Sequence, residues 1–145
     1  MWRAGLDLAL VAWVLNALAL GVGVFLGARG LIDPHWAARF VRLKADDQGG
    51  GFAEFRATYG GVFLGLHGVA LLFSLVWITR GVDVIGLFAT GASAVLAAAW
   101  AGAAGGRTIS MWRDGTRTRF NEHSALVEAA LAFCIAAPWL LWMVG

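Results

Sequence analysis

The chain has 145 residues, enough for one domain, and 60% of them are hydrophobic while only 14% are charged. An ordinary soluble domain carries about 25% charged residues, and the long apolar runs that replace them here are typical of membrane proteins. The net charge of +2 comes from basic residues at the ends of those runs, a pattern that indicates membrane orientation rather than nucleic-acid binding. The single cysteine, Cys134, excludes an intrachain disulfide and a cysteine-based metal site.

Four apolar segments are each long enough to cross a bilayer as a helix, which takes about 20 residues. They cover residues 6–28, 54–79, 84–106 and 125–144. The first exceeds the apolar core of a signal peptide, about 7–15 residues, and ends without a good cleavage site, so we expect a retained membrane helix. The tight connection after the second segment makes the second and third segments antiparallel neighbours. The pattern predicts an all-α, up-down four-helix bundle in a single membrane domain that covers the whole chain.

A short extra helix is predicted between the first two spans. Asp33 and Pro34 indicate its start, because aspartate can cap a helix and proline suits the first turn. Residues 35–44 (HWAARFVRLK) place an apolar stripe beside basic residues. A basic amphipathic helix of this kind lies in the plane of the lipid headgroups. Residues 46–51 (DDQGGG) predict a flexible joint before the second span.

Basic residues predict the orientation of the spans. The first and third loops, with the span ends beside them, carry nine of the eleven Lys and Arg residues. By the positive-inside rule, we expect these loops in the cytoplasm and both termini in the periplasm, in a multi-pass protein of a bacterial inner membrane. The nine residues are Arg29, Arg39, Arg42, Lys44, Arg56, Arg107, Arg113, Arg117 and Arg119.

Small residues recur every fourth position on two of the spans, a spacing that lets helix backbones approach closely in lipid. These ladders exceed what one small bundle needs. They therefore predict packing against other membrane helices, in a homo-oligomer or with a membrane-protein partner. The ladder of the second span is Ala57, Gly61 and Gly65, and that of the third is Ala97, Ala101 and Gly105.

Four charged residues are expected at one membrane face, where the second, third and fourth spans would meet. They are Glu54, Arg56, Arg107 and Glu128. A charge at the centre of a membrane helix costs about 2.5–3.5 kcal/mol, and less near the edge, so these groups should pair. One interpretation is an interhelical ionic clasp that fixes register. The other is a pocket for the polar head of an anionic or amphiphilic ligand, and the two are compatible.

His67 is expected near the middle of the membrane, where an ionisable residue suggests a function. It could ligate the metal of a haem or chlorophyll, relay protons, or hydrogen-bond a neighbouring helix, with Asn16 as a candidate partner. Two-histidine haem ligation is disfavoured, because His35 and His123 lie in or beside loops. No metal site and no specific cofactor follow from the sequence.

Enzyme motifs are missing from the sequence, which contains no G-x-S-x-G, no H-E-x-x-H and no P-loop. We therefore favour a non-enzymatic accessory or scaffold subunit that packs against other membrane helices in a larger complex. The alternative is a binding protein or enzyme for a lipophilic molecule, such as a lipid, quinone or pigment, held by the charged residues. No nucleic-acid partner is expected.

One run of residues resembles a known family. Glu54-x-Arg56-Ala57-x-Tyr59-Gly60-Gly61, followed by an apolar helix with glycines, is similar to the signature of the uncharacterised bacterial membrane proteins catalogued as domain-of-unknown-function family 4345. Asp33-Pro34 after the first span, Arg107 at the end of the third and Glu128 in the fourth also fit that pattern. The resemblance covers most of the chain. It implies a four-helix integral membrane fold and no established activity.

Overall fold

A computed structural model describes the backbone of residues 2–144 and the side chains of residues 8–144. Within that range the chain is helical throughout and forms no strand. Five helices follow one another there: α1 (Trp2–Ile32), α2 (Pro34–Val41), α3 (Gly50–Arg80), α4 (Asp83–Arg113) and α5 (Arg119–Val144). All except α2 are long and apolar enough to cross a membrane, which confirms the prediction of four long apolar helices.

The predicted spans each lie inside one long helix, but the helices extend further. The clearest case is α4, which continues past the predicted end at residue 106 to Arg113. Its last turns (TISMWR) mix polar and apolar residues, three of each, and hydropathy identifies only the continuously apolar part of a helix. The chain divides into two compact units, unit 1 (residues 1–19 and 73–145) and unit 2 (residues 20–72). The prediction of a single membrane domain stays a prediction.

Unit 2 is held together where the second half of α1 approaches the first half of α3. The close contacts are made at glycines. A Cβ atom built on Gly27 would lie 2.7 Å from the Cα of Leu64, and one on Gly30 would lie 2.7 Å from the carbonyl oxygen of Tyr59. Such distances exclude any side chain, so these glycines let the two backbones touch.

Helix α3 begins as an α-helix, widens to a π-helix over Phe55–Val62 and returns to an α-helix from Phe63. A π-helix is bonded from residue i to i+5, so residues five apart lie on the same face. Phe55 and Gly60 are five apart and both are buried. A Cβ on Gly60 would lie 2.7 Å from the Cα of Leu31, so the wide turn presents a bare backbone position to α1.

The connection between α2 and α3 is held by hydrogen bonds to one carboxylate, and the last residues of the predicted joint belong to α3. The carboxylate of Asp46 accepts hydrogen bonds from the backbone N–H groups of Gln48 (2.8 Å), Gly50 (3.2 Å) and Gly51 (2.6 Å). The bonds from Gly50 and Gly51 satisfy N–H groups that a helix start leaves without partners, and α3 begins at Gly50, inside the predicted joint. The N–H of Gly51 is the main reason why the pKa of Asp46 is lowered.

Unit 1 is centred on the packing of α4 against α5. The buried residues of α4 include Ala89, Ser93 and Leu96, and those of α5 include Ala132 and Ile135. The end of α3 packs on the start of α4, where a Cβ on Gly86 would lie 2.9 Å from the ring of Trp77. Small residues on α4 thus admit larger side chains from the neighbouring helices.

Candidate functional site

Arg107 and Glu128 form the most closely bonded ion pair of the described residues. Arg107 lies on α4 and Glu128 on α5. The guanidinium Nη2 is 2.5 Å from Glu128 Oε1, and Nε donates to Oε2 at 3.0 Å. A parallel pair of charge-assisted hydrogen bonds is the strongest geometry available to these two side chains. Glu128 is only 8% exposed, while the side chain of Arg107 keeps about a third of its surface.

Asn121 extends this pair toward the start of α5. It lies seven residues before Glu128, which places both on one helix face. Nη1 of Arg107 donates to Asn121 Oδ1 at 3.4 Å, and Asn121 Nδ2 donates to the carbonyl oxygen of Thr116 at 2.7 Å. Arg107 thus fixes α4 to α5 and to the loop before it. The guanidinium of Arg107 is already bonded to Glu128 and to Asn121. This geometry favours the ionic clasp over a site that is free to bind an anion.

The other two charged candidates lie in unit 2. Arg56 donates from Nη1 to the carbonyl oxygen of Leu31, near the end of α1. The last carbonyl groups of a helix have no partner within the helix, so Arg56 satisfies one of them. Glu54 is exposed at the last residue before the π-helical turn. The structure therefore pairs Arg107 with Glu128 and joins Arg56 to α1, and a common cluster of all four residues stays a prediction.

His67 is buried in unit 2, with 2% of its surface exposed. Its Nδ1 lies 2.8 Å from the carbonyl oxygen of Phe63, so Nδ1 carries a proton and donates it to that oxygen. A Cβ atom on Gly23 would lie 2.5 Å from Nε2 and still closer to two ring carbons. The imidazole therefore occupies the space left by the missing side chain of Gly23. This packing favours an interhelical contact, and a cofactor role for His67 stays a hypothesis.

Asn16 is the centre of a buried hydrogen-bond network in unit 1. It is fully buried. Its Nδ2 donates to Ser93 Oγ at 2.9 Å and to the carbonyl oxygen of Ile135 at 2.7 Å, and its Oδ1 accepts from Ser74 Oγ at 2.8 Å. One amide thus links α1, α3, α4 and α5. From the sequence, Asn16 was expected only as a partner for His67, and the roles of Ser74 and Ser93 were missed. Their polarity within apolar spans was the available signal.

Most of the predicted helix-packing residues face outward. Ala97 is buried, while the other five are exposed. A Cβ on Gly65 or Gly105 would meet no atom within 4 Å, and one on Gly61 would meet only a carbonyl oxygen of its own helix, at 3.6 Å. The exposed five are Ala57, Gly61, Gly65, Ala101 and Gly105.

The close contacts inside the chain use other glycines, which were not predicted from the sequence. Gly23 and Gly27 on α1 have the same four-residue spacing as Gly61 and Gly65, so the signal was present in the first span. The spacing in the sequence identifies stripes of small residues. It does not distinguish a stripe that packs on a helix of the same chain from one that stays exposed.

An open apolar groove of about 480 Å³ lies in unit 1, between the first half of α1 and the end of α5. None of the four charged candidates lines it. Within the described part of the chain, no group of three or more His, Cys, Asp or Glu side chains is placed to hold a metal ion. Residues from both helices line the groove, including Leu8, Val11, Leu15, Phe133, Leu140 and Met143.

Comparison of the chain with family models, with curated proteins and with solved structures found no match. The resemblance of residues 54–61 to domain-of-unknown-function family 4345 stays a prediction.

Proposed function

We propose that the chain is a multi-pass membrane protein that acts as an accessory or scaffold subunit and packs against other membrane helices. The observation that carries the proposal is the open small-residue face of α3. It consists of Ala57, Gly61 and Gly65, and the space above both of its glycines is open to an approaching helix. We call it the α3 glycine face.

Membrane insertion is supported by what the four long helices expose. Large apolar side chains on all of them are more than half exposed, which in water would be a strongly unfavourable surface. In a bilayer the same side chains contact lipid tails at no such cost. Examples are Leu18 (66%), Leu66 (56%), Val95 (71%) and Phe133 (65%).

Partner binding through the α3 glycine face is supported by its surroundings. Val62, Leu66 and Val69 are exposed on the same helix, between 52% and 56%. Small residues flanked by larger apolar ones form a groove into which the ridge of another helix fits. In lipid, helix association depends on this close van der Waals contact, because apolar burial alone gives no advantage over lipid tails.

The assembly is tested with Gly61→Leu/Gly65→Leu, which fills the groove, and with Gly91→Leu/Gly102→Leu as a matched control. A Cβ on either control glycine also meets nothing within 4 Å. In mild detergent, we expect the wild type and the control to migrate on native gels as an assembly. The α3 variant should migrate as the 15.4-kDa chain alone. Unchanged migration of the α3 variant, or equal loss in the control, would contradict the proposal.

We further propose an up-down bundle with the first and third loops in the cytoplasm. The support is the excess of basic residues in those loops. In a Cys134→Ala background, Gln48→Cys should be protected from an impermeant maleimide in intact spheroplasts, whereas Val82→Cys should react. The opposite labelling pattern would overturn the orientation.

A lipophilic-ligand site at Arg107 is the second candidate. About one third of the surface of the Arg107 side chain stays exposed beside its bond to Glu128. This exposed part is where a polar headgroup could bind. Arg107→Ala should then remove a retained lipid, quinone or pigment while the helical content is unchanged. Unfolding of the variant would instead support the clasp.

A further inference from the structure

Helix α2 is held at the end of the first membrane span by a connection of one residue. α1 ends at Ile32 and α2 begins at Pro34. Asp33 between them accepts a hydrogen bond from the N–H of Trp36 at 3.0 Å, and this bond is the main reason why the pKa of Asp33 is lowered. Arg29 of α1 also lies 3.7 Å from the Asp33 carboxylate. The start of α2 is therefore fixed to the end of α1.

The orientation of α2 about its own axis is set by its contact with α3. Ala37 and Ala38 are almost fully buried and form a small core with Phe55 of α3, which is 5% exposed. His35 packs on Phe52 with ring centroids 4.1 Å apart. One face of α2 is thus committed to α3, and the opposite face is directed outward.

The outward face combines cations with apolar side chains. Arg39 and Lys44 are exposed, and Phe40 and Leu43 are 50% and 54% exposed. Arg42, also exposed, adopts the left-handed conformation (φ 60°), and the N–H of Leu43 bonds to the carbonyl oxygen of Ala38 at 3.0 Å. This is the helix ending in which a left-handed residue closes the last turn. It ends α2 earlier than residue 44, the predicted end, and keeps the final cations on the outward side.

Charge on this segment has one sign. Residues 34–45 contain three basic residues and no acidic residue. The flanking carboxylate of Asp33 is engaged by the start of α2, and that of Asp46 by the start of α3. Cations beside half-exposed apolar side chains are typical of a surface that contacts lipid phosphates and the outer part of the acyl chains together.

We propose that the outward face of α2, defined as Arg39, Phe40, Arg42, Leu43 and Lys44, binds the phosphate groups of anionic phospholipids in preference to zwitterionic ones. The proposal rests on the membrane insertion proposed above, since only then does this face lie at the headgroups. It goes beyond that function because it names a lipid class and the side chains that select it. Phe40 and Leu43 require the acyl region, so soluble phosphate should not replace the lipid.

The test uses the full chain in a non-ionic detergent, titrated with phosphatidylglycerol or with phosphatidylcholine of the same acyl chains, and bound lipids are counted by native mass spectrometry. Wild type should retain phosphatidylglycerol preferentially. Arg39→Gln/Lys44→Gln should weaken its binding by about fivefold for each charge removed, about 25-fold in total, which corresponds to about 1 kcal/mol per basic residue.

The matched control is Arg117→Gln/Arg119→Gln, which removes the same charge from the third loop (Arg117) and from the first residue of α5 (Arg119), both in unit 1. It should leave phosphatidylglycerol binding within about twofold of wild type. The proposal would be overturned by any of three results. These are unchanged phosphatidylglycerol binding by the α2 variant, an equal loss of binding in the control, and displacement of the lipid by millimolar inorganic phosphate. Failure of membrane insertion is detected separately, because the chain would then be released from membranes by alkaline carbonate.

Discussion

Gly23→Ala tests the closest packing contact of unit 2, where the imidazole of His67 lies on the backbone of α1. The added methyl group would lie 2.5 Å from Nε2, whereas unstrained heavy atoms in contact are about 3.5–4.0 Å apart. The ring must therefore move by about 1 Å or more. It is 2% exposed, bonded to the carbonyl oxygen of Phe63 at 2.8 Å and packed on the Phe63 ring at 4.7 Å, so it cannot move freely.

The change in the free energy of unfolding caused by Gly23→Ala is the sum of two costs and one gain. Overpacking in a filled site costs about 1–3 kcal/mol. Displacing the ring weakens a hydrogen bond worth about 0.5–1.5 kcal/mol. Replacing glycine by alanine in a helix returns up to about 1 kcal/mol. We therefore expect Gly23→Ala to lower the free energy of unfolding by about 1–3 kcal/mol.

Gly21→Ala is the matched control, because it makes the same change on the same helix where a Cβ meets nothing within 4 Å. It should be neutral or slightly stabilising. The assay is unfolding in mixed detergent–dodecyl sulfate micelles, followed by circular dichroism. Adding His67→Ala to Gly23→Ala should relieve the overlap and give a coupling energy of about 1–3 kcal/mol. Equal stability of the Gly23 and Gly21 variants, or a coupling energy near zero, would refute the packing described for α1 and α3.

Three further predictions address polar groups. Asn16→Ala should destabilise the fold by about 2 kcal/mol in the same assay, because it removes three buried hydrogen bonds worth about 0.6 kcal/mol or more each in membrane proteins; no loss would exclude the network. Glu128→Ala should lower the free energy of unfolding by about 2 kcal/mol, because it leaves Arg107 without its carboxylate partner. If the clasp interpretation holds, the swapped pair Arg107→Glu/Glu128→Arg should recover part of that loss. The hydrogen bond from Gly51 lowers the pKa of Asp46 in the folded state. The stability that this carboxylate adds is therefore fully present above 3.8, the pKa in the unfolded chain, and is lost as the pH falls through the lower pKa of the folded state. Amide exchange at the start of α3 should therefore speed up in acid, after correction for intrinsic rates, and Asp46→Asn should remove that pH dependence.

Local signals in the sequence predicted the features that depend on few residues. The four long helices follow from apolar runs, and Asp33 before Pro34 marked the start of α2, where the aspartate accepts the expected backbone bond. The end of α2 was missed, because Arg42 occupies a left-handed position that is usually glycine. The π-helical turn at residues 55–62 was also missed, since its sequence is compatible with an ordinary helix.

The contacts that glycines and neutral polar side chains make between helices could not be predicted, because several stripes on each span satisfy the same spacing rule. Gly61 and Gly65 fit the close-packing pattern as well as Gly23 and Gly27, yet the space above the first two is open while the last two meet side chains and backbone of α3. Asn16 bonds to Ser74 and Ser93, residues far apart in sequence, and no local pattern connects them. Contacts of this kind are selected by the three-dimensional arrangement of whole helices.

The central claim, a membrane subunit that binds partners through the α3 glycine face, is tested most directly by extraction of the chain from native membranes in copolymer lipid discs. Polypeptides and small molecules in the discs are then identified by mass spectrometry. We expect a partner polypeptide, or further copies of the chain, at fixed stoichiometry, and loss of that material from Gly61→Leu/Gly65→Leu. A disc that holds one copy of the chain with a stoichiometric small molecule and no other polypeptide would contradict the subunit proposal. That result would favour the site at Arg107.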